Sequence, residues 1–240
     1  MTVSNDMSKR FLHIFILLLI SGGVSAQILN IQKRNPKYDY RMIHFGFEIG
    51  MNFIDFKVDP IADLRQVPNL YSIETQARPG ITLLLISDLR LGNHLNLRFT
   101  PGIAYTQRDV FYTIYEPTED IFFETLKQVE STFIEFPILM KFKSVRVDNM
   151  RVYVIGGIKY MVDMASQERV DDPRLLRIQR NDYSFEVGAG MDFYFDYFKF
   201  SPQIKATYGV NNVLVPDGTI FTQGIQGLQT RAILISFCFE

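Results

Sequence analysis

Few residues in this chain have the chemistry for covalent work. Its 240 residues hold three histidines and one cysteine. His13 lies in an amino-terminal stretch that reads as a removable signal, which leaves His44, His94 and Cys238. A lipid-modifying or other hydrolytic site needs a nucleophile, a base and an orienting group within hydrogen-bond reach. His44 stands at the start of the first strand pattern and His94 at a tight turn, so neither meets a polar cluster at the loop end. No set of carboxylates is singled out in their place. A single cysteine excludes an intramolecular disulfide and a thiolate-rich metal site. Cys238 falls among small inward positions, not in the electropositive, partly exposed surroundings that activate a thiol. There is no phosphate-binding loop, dinucleotide fingerprint or zinc spacing. The acidic stretches Asp171-Asp172-Pro173 and Glu116 to Glu124 lack the regular oxygen spacing of a calcium loop and read as solvated. The expectation is a protein that is not an enzyme and has no catalytic residue, metal or cofactor. A net charge of −1 offers no basic surplus for nucleic acid.

The charges that recur in a pattern are Glu48, Arg98, Glu135, Lys141, Lys159, Glu186, Asp192 and Lys205. All sit where apolar and polar residues alternate with period two, the signature of strands. Eight runs are read, at about 42–55, 78–89, 94–108, 132–145, 151–164, 182–195, 199–211 and 229–239. The sixth is the cleanest: Tyr183, Phe185, Val187, Ala189, Met191 and Phe193 oppose Ser184, Glu186, Gly188, Gly190 and Asp192. The second is apolar on both faces. Tight turns at Gly92-Asn93, Val147-Asp148-Asn149 and Asp196-Tyr197-Phe198 alternate with long connections at about 57–77, 109–131, 165–181 and 212–228.

Upstream, Lys9 and Arg10 precede an apolar run from Phe11 to Ile20, and Val24-Ser25-Ala26 supplies small residues before Gln27. That is the layout of a secretory signal peptide over residues 1–26, with Met7 an alternative start. Removing it takes away Asp6, Lys9 and Arg10, leaving 23 basic and 25 acidic residues, net −2. An exported chain without a second apolar stretch of about 20 residues can span a membrane only as a closed sheet. Short turns at one end and long loops at the other describe an outer-membrane barrel. The expected architecture is all-β: an eight-stranded antiparallel transmembrane outer-membrane β-barrel over 42–240, after a periplasmic segment at 27–41.

Side-chain size decides which face is lipid-exposed. Eight strands leave an interior only just wide enough for side chains. The Phe, Tyr, Leu and Met face therefore points out to outer-membrane lipid. The face of Gly, Ala and Thr points in with the eight charges. Those charges read either as an internal salt-bridge network that plugs the barrel or as a gated pore or proton path, and pairing of Glu135 with Lys141 and Lys159 is expected. Tyr105, Tyr160, Tyr183 and Tyr208 serve as the interfacial girdle, in a chain that has 21 Phe, 12 Tyr and no Trp. Pro79, Pro101, Pro137 and Pro202 fit badly, because a closed barrel has no edge on which to hide a proline.

Two regions are candidates for partner contact. Val110 to Tyr115 and Ile121 to Leu126 read as a hairpin beyond the membrane, exposing Phe111, Tyr112, Ile114, Tyr115, Phe122 and Phe123. Such a patch marks a docking site or packs over the barrel mouth. The segment Gln27 to Arg41, with Lys33, Arg34, Lys37 and Arg41, reads as a contact for periplasmic partners or as a basic linker.

Several of these stretches resemble a known family. Ile134-Glu135-Phe136-Pro137-Ile138-Leu139-Met140-Lys141, Tyr153-Val154-Ile155-Gly156-Gly157 and Phe185-Glu186-Val187-Gly188-Ala189-Gly190-Met191-Asp192 are similar to successive strands of the PorT/SprT-type outer-membrane barrels. The resemblance covers roughly residues 40–240 and is strongest over Ile81 to Arg108 and Phe133 to Met164. It implies a component or assembly factor of the type IX secretion system, which exports proteins bearing a C-terminal sorting domain and serves motility in gliding species. It further implies partners among other secretion proteins of the outer membrane or periplasm. It brings no catalytic residues, and it makes Pro137 a tolerated strand proline. The alternative is a structural or lipid-binding small barrel outside any secretion machine.

Overall fold

The computed structural model describes residues 34–36, 38–61, 67, 69–117, 120–166 and 176–240. The expected signal peptide, the stretch 27–33, Lys37 and the Asp171-Asp172-Pro173 patch lie outside the described residues.

Among the described residues, nine strands follow a 3-10 turn at Tyr38–Tyr40: β1 (Ile43–Pro60), β2 (Leu70–Arg90), β3 (Leu95–Phe99), β4 (Gly102–Glu116), β5 (Ile121–Lys143), β6 (Met150–Asp163), β7 (Asn181–Tyr194), β8 (Lys199–Gly209) and β9 (Ile225–Phe239). All pairings are antiparallel. β1 pairs with β2 on one side and β9 on the other, and β9, β8, β7, β6 and β5 follow in order. β3 and β4 both lie between β2 and β5. The sheet therefore returns on itself.

The count of nine corrects the expected eight. The third run is divided at Thr100-Pro101, so β3 and β4 succeed each other along one track between the same two neighbours.

That division accounts for the prolines. The β3–β5 ladder ends at Phe99 opposite Ile138, and the β4–β5 ladder begins at Gly102 opposite Glu135. Phe136-Pro137 thus stands across from Thr100-Pro101, and two prolines share one interruption. The gap is bridged by Thr100 N–H donating to the Pro137 carbonyl (3.2 Å) and Leu85 N–H donating to that of Pro101 (2.8 Å). Pro79 sits where the β2–β4 register shifts between Ala77 and Ile81. Pro202 sits where the β7–β8 ladder jumps from Gly190 opposite Gln203 to Phe193 opposite Phe200. A proline has no N–H to give a ladder, so it is tolerated where the ladder is already broken. Next to Pro79, the backbone of Gly80 passes so close to the Tyr105 carbonyl that any Cβ there would collide with it.

The strands also run further than the sequence pattern indicated. β1 extends to Pro60 and β2 begins at Leu70, and β4 and β5 stay paired up to Glu116 opposite Ile121. Much of the expected loop at 57–77 is therefore strand, and the hairpin read at Val110 to Tyr115 and Ile121 to Leu126 is the continuation of β4 and β5. The reason is an inversion of polarity. Along β1 the outward residues Phe45, Phe47, Ile49 and Met51 are exposed, Phe45 by 72%, while Glu48 and Asn52 are buried. Beyond Phe53 the outward positions become Asp55, Lys57 and Asp59, and the inward ones Ile54 and Phe56. β4 does the same, with Ile103 and Tyr105 exposed below and Val110, Tyr112 and Ile114 buried above. Asp55 lies opposite Arg231, which lies opposite Tyr208 on its other side. Tyr105, Tyr183 and Tyr208 are half-exposed near this level, and Tyr160 stacks on Tyr183 at 5.0 Å. An apolar belt about nine residues tall, which suits a tilted strand crossing a membrane, gives way to a section with a water-facing outside and an apolar inside.

Candidate functional site

Three places gather the candidate residues: the interior, the short-turn end and the far hairpin.

The interior holds two ion-paired layers. Nearer the short turns, the Arg98 guanidinium donates to Asp88 through Nε (2.9 Å) and Nη2 (2.6 Å), and Nη2 also meets Glu240 at 2.7 Å. Lys199 reaches Glu240 at 2.8 Å and Asp192 at 3.9 Å, and Lys141 reaches Asp192 at 2.8 Å. Ser201 donates to Asp192 at 2.6 Å, and the Lys141 ammonium lies 3.7 Å from the centre of the Tyr153 ring. In the second layer Lys205 lies 3.0 Å from both Glu48 and Glu186. Lys159 lies 3.1 Å from Glu186 and 3.4 Å from Glu135. Ser236 and Thr207 donate to Glu48 and Glu186.

All eight inward charges singled out above are in these layers. Glu135 meets Lys159, but Lys141 meets Asp192 and not Glu135, which corrects that half of the expected grouping. Both share the inward parity of β5, and distance along the strand explains the difference. Lys141 is six residues from Glu135 along β5, so the two belong to different levels of the interior.

Four participants were not legible in the sequence. Asp88 lies near the end of a run apolar on both faces, Lys199 opens the seventh run, Glu240 follows the eighth, and Tyr38, which bonds Glu240, precedes the first. Alternation marks the middle of a strand more clearly than its ends.

These side chains fill the space they occupy. Arg98 is 0% exposed, Lys141 and Lys205 1%. Above them Arg108 lies over the Phe56 ring at 4.0 Å and donates to Ser131, which donates in turn to Asp163 at 2.6 Å. Above that again, Phe56, Val110, Tyr112, Ile114, Val129 and Leu228 belong to one dry cluster, with Phe221 from the helical turn Ile220–Gln223 set edge-on to Tyr112 at 4.9 Å. Among the described residues, charged pairs below and an apolar stopper above leave no polar path along the axis.

At the short-turn end the described part of the amino-terminal segment is held across the mouth. The Tyr38 hydroxyl donates to Glu240 at 2.7 Å, and its ring stacks on His44 at 4.0 Å, where His44 Nε2 meets the Tyr38 carbonyl at 2.8 Å. Asp39 bridges Arg146 and Arg151, each at 3.2 Å. Arg146 also bonds the Arg34 carbonyl and lies 3.8 Å over the Tyr194 ring. Both histidines are engaged with backbone, His94 Nδ1 with the Lys143 carbonyl at 3.0 Å. Cys238 is fully buried.

The far hairpin divides the six-residue patch read from the sequence, and this is a correction. Tyr112 and Ile114 turn inward and are buried, because their parity is that of the interior face. Phe122 and Phe123 are exposed, by 57% and 41%, and Phe111 and Tyr115 are half-buried. Tyr71, exposed and absent from that patch, meets Phe122 edge-on at 5.2 Å, and Phe122 lies 5.1 Å from Tyr115. Tyr71 was missed because it is the extra residue at a shift in register between Leu70 and Ser72.

The family model described as Outer membrane protein beta-barrel domain matches residues 26–215. Among solved structures the chain is similar to Neisserial surface protein A, at 8% identity over 82% of this chain and 98% of that one, with a TM-score of 0.44. It is similar to OprG from Pseudomonas aeruginosa, at 10% identity over 81% and 95%, with a TM-score of 0.42. It is also similar to Ail, the attachment invasion locus protein of Yersinia pestis, at 10% identity over 81% and 96%, with a TM-score of 0.35. No curated protein matches it.

Proposed function

We propose that this chain, which belongs to the outer membrane protein beta-barrel domain family, is a non-enzymatic outer-membrane barrel that serves the type IX secretion system as a component or assembly factor. The short-turn end then faces the periplasm and the hairpin faces outward, with the apolar belt against lipid. The observation that carries this reading is the stoppered interior. A barrel whose axis is closed by ion pairs below and by a dry cluster above does not act by conducting solutes, so its work lies on its surfaces. The resemblance of three strand motifs to those of the PorT/SprT-type barrels supplies the choice of system. The layered charges are then structural, holding the wall in register.

The outward surface offers the Tyr71, Tyr115, Phe122 and Phe123 patch, and the periplasmic surface offers the latched segment. The test is affinity purification from outer membrane solubilised in mild detergent, with co-purifying proteins identified by mass spectrometry. Secretion-system proteins are expected. Recovery of the barrel alone would favour a structural or lipid-binding barrel outside any such machine.

A further inference from the structure

A cavity of about 310 Å³ opens at the short-turn end between the latched segment and the ends of β2, β5 and β6. Its lining includes Arg90, His94, Lys143, Arg146 and Arg151, against one carboxylate, Asp39. Asp39 is spent on Arg146 and Arg151, at 3.2 Å each. Arg146 uses its remaining donors on the carbonyls of Arg34 and Asp148 and on Asn149. Arg90 spends Nε on the Gly92 carbonyl and Nη2 on Asn93.

Two donors are left over. Lys143 lines the cavity, and among the described residues no hydrogen bond or ion pair holds its ammonium, which stays open to the cavity. Arg151 Nε is buried and likewise without a partner there. By contrast, every lysine of the two interior layers has a carboxylate within 4 Å.

We infer that this cavity binds the phosphate of a phospholipid headgroup, with Lys143, Arg151 and Arg90 as its ligands. An oxyanion supplies the missing acceptors, and guanidinium and ammonium groups bond phosphate oxygens strongly. The rim points to a lipid as its source. Tyr40, Met42, Leu91, Val145 and Phe142 are exposed around the same end, and a second cavity of about 290 Å³ lined by Tyr40, Met42, Arg90, Leu91 and Gly92 shares Arg90 with the first. Cations beside an apolar rim suit a headgroup whose chains run along the belt. The inference rests on the membrane orientation proposed above and not on the secretion role, and binding to purified protein is read without reference to secretion.

The experiment titrates the full chain, purified in neutral detergent, with phosphatidylglycerol and with diacylglycerol of the same chains, followed by native mass spectrometry. Phosphatidylglycerol should bind at least about tenfold more tightly than diacylglycerol. Lys143→Gln with Arg90→Gln should weaken it by about tenfold or more, and Lys57→Gln at the opposite end should leave it unchanged. Arg90→Gln alone, which disturbs only a surface turn, serves if the double variant does not fold, and should weaken binding in the same direction. Equal binding of diacylglycerol, or unchanged affinity in the Arg90 variants, would overturn the site. Displacement of the lipid by millimolar inorganic phosphate would overturn the lipid as its source.

Discussion

The Tyr38 hydroxyl donates a 2.7 Å hydrogen bond to the Glu240 carboxylate across 202 residues of sequence. That bond joins the segment before the first strand to the end of the last. It also ties both to the lower charge layer, since Glu240 is shared with Arg98 at 2.7 Å and with Lys199 at 2.8 Å. The latch is thus part of the interior network and not an appendage to it.

Tyr38→Phe keeps the ring on His44 and removes only the donor. A hydrogen bond to a charged group is worth about 1.5–3 kcal/mol, and two cations remain on Glu240, so a loss toward the lower end is expected. The midpoint of urea unfolding in lipid vesicles measures it. Tyr38→Ala should cost more, by removing the packing as well.

Lys205 is the hinge of the second layer. Lys205→Met leaves Glu48 with no cation in that layer and Glu186 with Lys159 alone. Breaking a buried pair from one side costs about 3–5 kcal/mol. Adding Glu48→Gln to Lys205→Met should recover part of that loss, because the stranded charge is gone. Unfolding midpoints of the wild type and the two variants check both statements.

The absence of tryptophan makes the belt directly measurable. Single substitutions Met51→Trp, in the belt, and Lys57→Trp, six residues on and on the same face, place one fluorophore on either side of the polarity inversion. In vesicles the first should emit at shorter wavelength and be quenched by brominated lipid, and the second should be quenched by iodide.

The hairpin separates docking from packing. Phe122→Ser with Tyr71→Ser removes exposed rings, so folding should hold while secretion falls. Tyr112→Ala opens the dry cluster instead and should cost about 3–5 kcal/mol. Retained secretion in a correctly inserted Phe122/Tyr71 variant would remove that surface from the account.

The sequence made the belt legible and the section above it illegible, for one reason. Period-two alternation with apolar residues outward runs cleanly from Phe45 to Phe53 and from Tyr183 to Phe193, where one face meets lipid and the other a narrow polar interior. At Asp55 and at Val110 the two faces exchange character, so 57–77 reads as loop, and the hairpin at 110–126 is read as strand but with Tyr112 and Ile114 on the wrong side. The division at Thr100-Pro101 was hidden because parity resumes on the same track. The charges were found where glycine and threonine flanked them, as at Glu186, and missed where a strand ended, as at Asp88 and Lys199.

The stoppered barrel is proposed to work through its surfaces for protein secretion. A clean deletion of the gene, complemented in trans and read by quantifying secreted proteins that carry C-terminal sorting domains, tests it most directly. These proteins should be lost from the surface and medium, with an intact envelope and recovery on complementation. Normal secretion in the deletion strain would contradict it.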